Sequence, residues 1–356
     1  MRRALALAER GRGRTAPNPI VGAVIARDGR VVGEGWHRAL GKSHAEVEAL
    51  ARAGRAARGA TMYVTLEPCV HWGRTPPCVD ALLAAGIARC VVALKDPDPR
   101  VNGRGLKRLR EAGVRVELGL LADEAREQLA GYRLAQEHGR PRVTWKVAST
   151  LDGRIADRRG RSQWITGTDA RADGHRLRAA SDCVVVGAGT ARADDPRLTA
   201  RTGGRPPQPL RVIVDSRLSL PLRLRVFSRA LARGTVVACT AAAPAARERA
   251  LVERGVTVWR LPATRLRVSL PALAARLARE GRHEVLLEGG ATLGTEFLRA
   301  RLVQRIVLYA APFVLGGGRS WCDGLGLPLA EAERGRVVSV ERVGEDARVV
   351  VDLGER

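Results

Sequence analysis

A chain of 356 residues, 45% of them hydrophobic, is long enough for two domains that each bury a core. No stretch approaches the roughly 18 uninterrupted apolar residues of a membrane helix. The opening MRRALALAERGRGR is also too charged for a secretory leader, so a cytoplasmic setting without a membrane partner is expected. The formal charge of +24 comes from 61 Lys and Arg against 37 Asp and Glu, mostly arginine spread along the chain, and only 3% of residues are aromatic. Few rings are available for base stacking, so compositional bias accounts for the charge and no nucleic-acid partner is expected, although the field attracts small phosphorylated ligands.

In chain order, RRALALAER reads as an opening helix and GRGRTAPNP as turn. VGAVIARDGRVVGEG reads as a hairpin about Asp28-Gly29. HAEVEALARAG is a predicted helix whose first turn carries His44 and Glu46. MYVTLE is a strand delivering Pro68 and Cys69, CVDALLAAG a helix and ARCVVALKD a strand. GLKRLREAG, VRVELG and ADEAREQLAGYRLAQEHG complete an alternation that predicts a mixed sheet with helices on both faces. EHGRPR marks a join, dividing the chain into domains at 1–141 and 142–356. Beyond it, strands are expected at CVVVG, LRVIVD, TVVAC, VTVWR, EVLLEGG and VQRIVLYAAPFVLGGG, with helices such as ARADGHRLRAA and LPALAARLARE between them.

The first half carries the clearest chemistry. His44, Cys69 and Cys78 offer one imidazole and two thiolates, a three-ligand set that suits a catalytic zinc with one open position. Glu46 stands two residues beyond His44, about 200° around a helix from it, so one side chain binds metal while the other reaches toward substrate. Cys78 at a helix start favours the thiolate. The bland alternative is a buried histidine, a surface glutamate and two core cysteines. However, the order H-x-E, then P-C, then C is the signature of the zinc nucleobase deaminases, and zinc makes hydroxide available near neutral pH. Cys90, Cys183 and Cys239 lie in or beside apolar runs and read as small core residues. Cys322 lies in a polar loop and reads as a free thiol, so no disulfide framework is expected.

Eight residues separate Cys69 from Cys78 where the short deaminase pattern has two. That insert, ending GRTPPC, resembles the bifunctional riboflavin-biosynthesis deaminase–reductase family often called RibD. Similar matches are TAPNPIVGAVIARDGRVVGEGWHRALGKSHAEV and VVALKDPDPRVNGRG. In the second half they are KVASTLDGRIA, SQWITG, HRLRAASD, GAGTARADDPRLTAR, LLEGGATLGTEFL and LYAAPFVLGGG. The resemblance implies an α/β chain with an N-terminal cytidine-deaminase-like three-layer domain and a C-terminal dihydrofolate-reductase-like domain. It implies one zinc per chain and NADPH. The implied reactions are zinc-hydroxide deamination of 2,5-diamino-6-ribosylamino-4(3H)-pyrimidinone 5′-phosphate, then reduction of the ribosyl side chain to ribityl. A homo-oligomer is expected.

The same resemblance assigns Asn18, His37, His71, Arg74, Asp96 and Asp98 to the deaminase substrate. Read alone, Asn18 is a turn residue before a strand, and Arg74 is a guanidinium suited to phosphate. Asp98 stands where the family has Asn, and its carboxylate would repel a phosphate. In the second half, GGATLG follows a strand and opens a helix, an arrangement that binds anions. The resemblance gives Gly289, Gly290, Ala291, Thr292, Leu293, Gly294, Thr295 and Glu296, with Ser149, Trp164, Thr190 and Asp194, to the nicotinamide cofactor. It gives Lys146, Ser162, Arg178, Arg201 and Glu288 to the substrate. Core packing is the plain alternative for Trp164. Lys146 and Asp194 are the polar residues to watch for a proton-relay role beside hydride transfer. The rival reading is a tRNA or single-strand nucleic-acid deaminase with a non-catalytic C-terminal module.

Overall fold

The computed structural model describes residues 1–72 and 76–354. The chain forms two compact units, Met1–Gly139 and Arg140–Arg356, so the break falls just before the join expected at 141/142.

The first unit opens with helix α1 (Arg2–Ala8) and the hairpin β1 (Gly22–Arg27) and β2 (Arg30–Trp36). Asp28 and Gly29 both have positive φ, 49° and 73°, as the tight turn read from the sequence requires. Helix α2 (Ala45–Ala53), strand β3 (Thr61–Leu66), helix α3 (Cys78–Ala84) and strand β4 (Arg89–Leu94) follow. Then come α4 (Arg104–Glu111), β5 (Arg115–Leu118), α5 (Ala122–Gln128) and α6 (Ala130–His138). The five strands are ordered β2-β1-β3-β4-β5, antiparallel through β3 and parallel beyond it. Ala45, Ala49 and Ala53 of α2 pack with Ile25, Met62, Val64 and Cys90 in the core.

Two expectations are corrected here. His44 is not in the first turn of α2 but is its N-cap residue, with extended backbone (ψ 161°) and no capping hydrogen bond. Its ring turns toward the cysteines instead, so the separation from Glu46 comes from the chain entering the helix. The single helix expected at ADEAREQLAGYRLAQEHG is two helices, broken at Leu129.

The second unit contains β6 (Arg142–Thr150), β7 (Arg154–Ala156), α7 (Thr168–Ala180), β8 (Cys183–Gly187), α8 (Ala188–Asp194), β9 (Leu210–Val214) and β10 (Thr235–Cys239). These are followed by α9 (Ala245–Val252), β11 (Thr257–Arg260), a small ribbon of β12 (Ala263–Thr264) and β13 (Arg267–Val268), α10 (Leu270–Arg279), β14 (Glu284–Leu287) and α11 (Ala291–Arg299). The unit ends with β15 (Arg305–Ala311), β16 (Arg319–Ser320), β17 (Arg336–Val343) and β18 (Asp346–Asp352).

Nine strands form one sheet in the order β11-β10-β9-β8-β14-β6-β15-β18-β17. It is parallel from β11 to β15 and closed by the antiparallel β18 and β17. Alternate residues feed two cores: Val185, Val212 and Val236 join one, and Val184, Val186, Ile213 and Val237 the other. Burial on both faces is why these strands read as continuous apolar runs. The chain leaves β6, builds outward from β8 to β11, then returns to insert β14 between β8 and β6. In such a sheet the crevice for ligand lies beyond the carboxyl ends of strands where the winding reverses. Residues 188–194, not predicted as an element, are a helix at that edge.

Candidate active sites

In the first unit the entry to α2, the end of β3 and the start of α3 bring His44, Cys69 and Cys78 together. Their ligand atoms all lie within 4.8 Å of one another. His44 Nδ1 is 3.1 Å from Cys78 Sγ and 3.6 Å from Cys69 Sγ. Two donors of a tetrahedral zinc site stand roughly 3.6 Å apart given ordinary Zn–N and Zn–S lengths, so the cluster has the size and donor chemistry for that ion. The Cys78 backbone N–H donates to Cys69 Sγ at 3.3 Å. The Cys78 thiol and this N–H both favour a Cys69 thiolate and pull its pKa down.

Glu46, in the first turn of α2, is 4% exposed. Burial pushes its carboxyl up, which suits a group that must take and return a proton. His37 meets the His44 ring edge-on at a centroid distance of 5.4 Å. Its Nδ1 lies 3.1 Å from the Ser43 carbonyl and its Nε2 3.2 Å from Asn18 Nδ2. The tautomer that satisfies both contacts donates from Nδ1 and accepts at Nε2. Asn18 thus fixes a histidine rather than merely a turn.

Asp96 and Asp98 follow β4 and are both buried. Burial pushes the Asp96 carboxyl up to about 7, although it accepts from the Asp98 N–H at 2.9 Å and the Tyr132 hydroxyl at 3.0 Å. His71 is half-buried, and among the described residues its Nδ1 has no hydrogen-bond partner. Arg74 lies outside the described residues.

The sequence reading missed Glu67, between the strand and Cys69. Its buried carboxylate accepts four backbone N–H groups, from Asp96 (3.2 Å), Gly103 (2.9 Å), Gly105 (2.8 Å) and Leu106 (3.2 Å). It thereby ties the stretch leading to Cys69 to the loop carrying Asp96 and Asp98. An acidic residue inside an otherwise apolar strand end was the one available signal.

In the second unit a cavity of about 640 Å³ lies against residues 145–148 of β6 and opens beyond the ends of β8 and β14. Lys146, Ser162, Trp164, Arg178, Thr190, Asp194, Arg201, Glu288, Gly289, Gly290 and Ala291 line it. Ser149 and residues 292–296 do not. Ser149 Oγ donates to the Thr150 carbonyl, Thr292 accepts from Arg319 at 2.8 Å, and Glu296 pairs with Arg299. Leu293 would touch a Cβ on Gly289, Gly294 lies against Trp145, and Thr295 is buried.

Glu288 accepts both arms of Arg178 at 2.6 Å, a two-pronged geometry. Burial alone would raise the Glu288 carboxyl, but Arg178 outweighs it and holds it low. Lys146 is half-buried at the cavity wall, and burial lowers its pKa against the opposing pull of Glu288. Arg178 and His175 both bond the Thr199 carbonyl, at 3.2 and 3.1 Å, which fixes the segment carrying Asp194 and Arg201. Thr190 Oγ1 accepts the Gly290 N–H at 3.1 Å, and Ser162 donates to Asp194 at 3.4 Å. Trp164 is 69% exposed with the Arg171 guanidinium 4.5 Å from its ring centre, so core packing does not account for it. The sequence reading also passed over His175 and Arg197, which face the same cavity.

A His/Cys/Cys cluster beside a buried glutamate on a five-stranded sheet is the arrangement of hydrolytic zinc deaminases, and the second unit adds a basic nucleotide-sized cavity at a parallel-sheet edge. The model of the cytidine and deoxycytidylate deaminase zinc-binding region matches residues 1–94, and that of the RibD C-terminal domain matches residues 141–349. Riboflavin biosynthesis protein RibD of Chlamydia muridarum is 44% identical over 98% of this chain and 94% of its own length. That of Escherichia coli K12 is 41% identical over 97% and 96%. The solved structure of Acinetobacter baumannii RibD is 38% identical with a TM-score of 0.91, covering 99% of this chain and 97% of its own. The chain belongs to the RibD family, the bifunctional deaminase–reductases of riboflavin biosynthesis. Its cofactors are zinc for the deaminase unit and NADPH for the reductase unit.

Proposed function

We propose that residues 1–141 carry the deamination and residues 142–356 the reduction, at two separate sites. The observation that carries this reading is the His44–Cys69–Cys78 cluster beside buried Glu46, in a different unit from the cavity of Lys146, Arg178 and Glu288. His44, Cys69 and Cys78 would hold the zinc, which when bound supplies an activated water near neutral pH. Glu46, whose carboxyl burial pushes up, would carry a proton from the attacking water to the departing amine. His37, held by Asn18 and Ser43, walls one edge of the site. His71, Arg74, Asp96 and Asp98 receive the ribosyl phosphate end of 2,5-diamino-6-ribosylamino-4(3H)-pyrimidinone 5′-phosphate.

In the second unit, Thr190, Gly289, Gly290 and the start of α11, which no side chain caps, receive the NADPH diphosphate, since a helix start favours anions. Arg178, Arg201 and Glu288 orient the deaminated substrate for hydride transfer, and Lys146 stands ready to move a proton. We also place the enzyme in the cytoplasm as a homo-oligomer without nucleic acid. Exposed valines on the outermost strand, Val337 at 59% and Val340 at 66%, support contact with a second copy.

Glu46→Gln tests the division of labour. Zinc content and folding should persist, ammonia release should vanish, and NADPH oxidation on pre-deaminated substrate should continue. Ammonia release within a few-fold of wild type would remove Glu46 from the proton path. Loss of reduction in a folded, zinc-loaded variant would overturn the two-site reading.

A further inference from the structure

The deaminase loop carries a carboxylate, Asp98, where an anionic substrate is expected, and the structure shows what offsets it. Asp98 is 4% exposed. Its Oδ1 accepts the Arg100 backbone N–H at 2.9 Å and Nε at 3.0 Å, and its Oδ2 accepts Nη2 at 2.6 Å. Every hydrogen bond the Arg100 side chain makes among the described residues goes to Asp98. The Asp98 backbone is fixed as well, its N–H on Asp96 Oδ1 at 2.9 Å and its carbonyl accepting from Val101 at 2.8 Å. His71 lies close enough to help hold the Asp98 carboxyl low, after the larger effect of Arg100, and its buried Nδ1 has no partner among the described residues. The loop therefore presents a fixed carboxylate, a guanidinium clamped over it and an unsatisfied imidazole nitrogen in one neighbourhood.

We propose that Asp98 and Arg100 form one neutral unit at the phosphate end of the deaminase site, in which Arg100 is a positioning residue that cancels the Asp98 charge so that a phosphorylated substrate is admitted. This rests on the reading that the substrate phosphate lies beside the 96–98 loop. An isolated carboxylate there repels a phosphate through a medium of low effective dielectric, whereas the clamped pair contributes almost no net charge. Arg100 itself is largely solvent-facing, its side chain 68% exposed, so its effect on substrate runs through Asp98.

The test uses full-length, zinc-loaded enzyme and a four-member cycle: wild type, Arg100→Ala, Asp98→Asn and the double variant. Ammonia release is followed on the phosphorylated substrate and on its dephosphorylated nucleoside, at low and high salt. Arg100→Ala should raise KM for the phosphorylated substrate about tenfold at low ionic strength with kcat nearly kept, and the penalty should shrink with added salt. The nucleoside should show no such penalty. Adding Asp98→Asn to Arg100→Ala should restore most of the lost KM, because the uncompensated charge is gone. Zinc content and thermal midpoint, measured on all four, separate this from misfolding, which would lower activity on both substrates and would not be rescued by Asp98→Asn. An unchanged KM in Arg100→Ala, an equal penalty on both substrates, or a double variant as impaired as Arg100→Ala overturns the pair. Wild-type enzyme that releases no ammonia from the phosphorylated substrate overturns the site reading beneath it.

Discussion

Gly294 leaves room for the indole of Trp145: a Cβ at position 294 would lie 1.9 Å from Trp145 Cζ2. Helix α11 therefore rests directly on the central strand β6, with Gly290 and Ala291 at its start held beside the cavity that Lys146 enters from the strand. Gly294→Ala should force the helix and the ring apart and cost about 1–3 kcal/mol, the usual penalty for overpacking. Denaturant unfolding should show that loss. KM for NADPH should rise while ammonia release is kept, and adding Trp145→Phe should recover part of the stability.

Gly294 also shows where sequence reading reached its limit. GGATLG looks like a phosphate loop throughout, yet only Gly289, Gly290 and Ala291 of that run line the cavity. Gly294 is small because of a tryptophan far back in the chain, a constraint no local pattern displays. By contrast, the Asp28-Gly29 hairpin and the buried Cys90, Cys183 and Cys239 were legible because short-range turn chemistry and continuous apolar runs determine them. His44, Cys69 and Cys78 were legible as a group because their order along the chain is that of a zinc-type donor set, and the fold brings their ligand atoms together. Glu67 was not, since its partners are backbone N–H groups of the loop after the next strand and of the first turn of α4. Helix α8 was missed because GAGTARAD has no apolar periodicity.

Glu67→Gln replaces one accepting oxygen with an amide N–H that faces donors. Hydrogen bonds to a charged acceptor contribute about 1.5–3 kcal/mol each, so a destabilisation of about 2–4 kcal/mol is expected in urea unfolding. KM for the deaminase substrate should rise with it, because Asp96 and Asp98 lose their tether. An unfolding midpoint equal to wild type would show that the four contacts contribute nothing net.

Glu288→Gln bears on proton transfer in the reductase cavity. Glu288 raises the Lys146 pKa while burial lowers it, so removing the carboxylate charge must lower that pKa further. If protonated Lys146 supports reduction, the alkaline limb of NADPH oxidation moves to lower pH in the variant. The sign is fixed: a shift to higher pH, or none, removes Lys146 from that limb. Ammonia release, served by the other unit, should keep its wild-type pH profile.

Metal removal separates the two reactions without any mutation. The three zinc-type donors belong to the first unit, and Cys78 begins the helix that buries Val79 and Leu82 in its core. Among the described residues no second cluster of at least three His, Cys, Asp or Glu side chains comes close enough to hold a metal. The residues lining the second cavity bring arginines, a lysine and hydroxyl groups, suited to phosphate and nucleotide rather than to a soft cation. A chelator that strips zinc should therefore abolish ammonia release and leave NADPH oxidation on pre-deaminated substrate within about twofold, and added zinc should restore the first activity. Cys78→Ser should reproduce the chelated state, with most of the zinc absent on metal analysis and reduction intact. Full zinc retention in that variant would remove Cys78 from the ligand set. Parallel loss of both activities on chelation, with the fold preserved, would mean that reduction also depends on the metal.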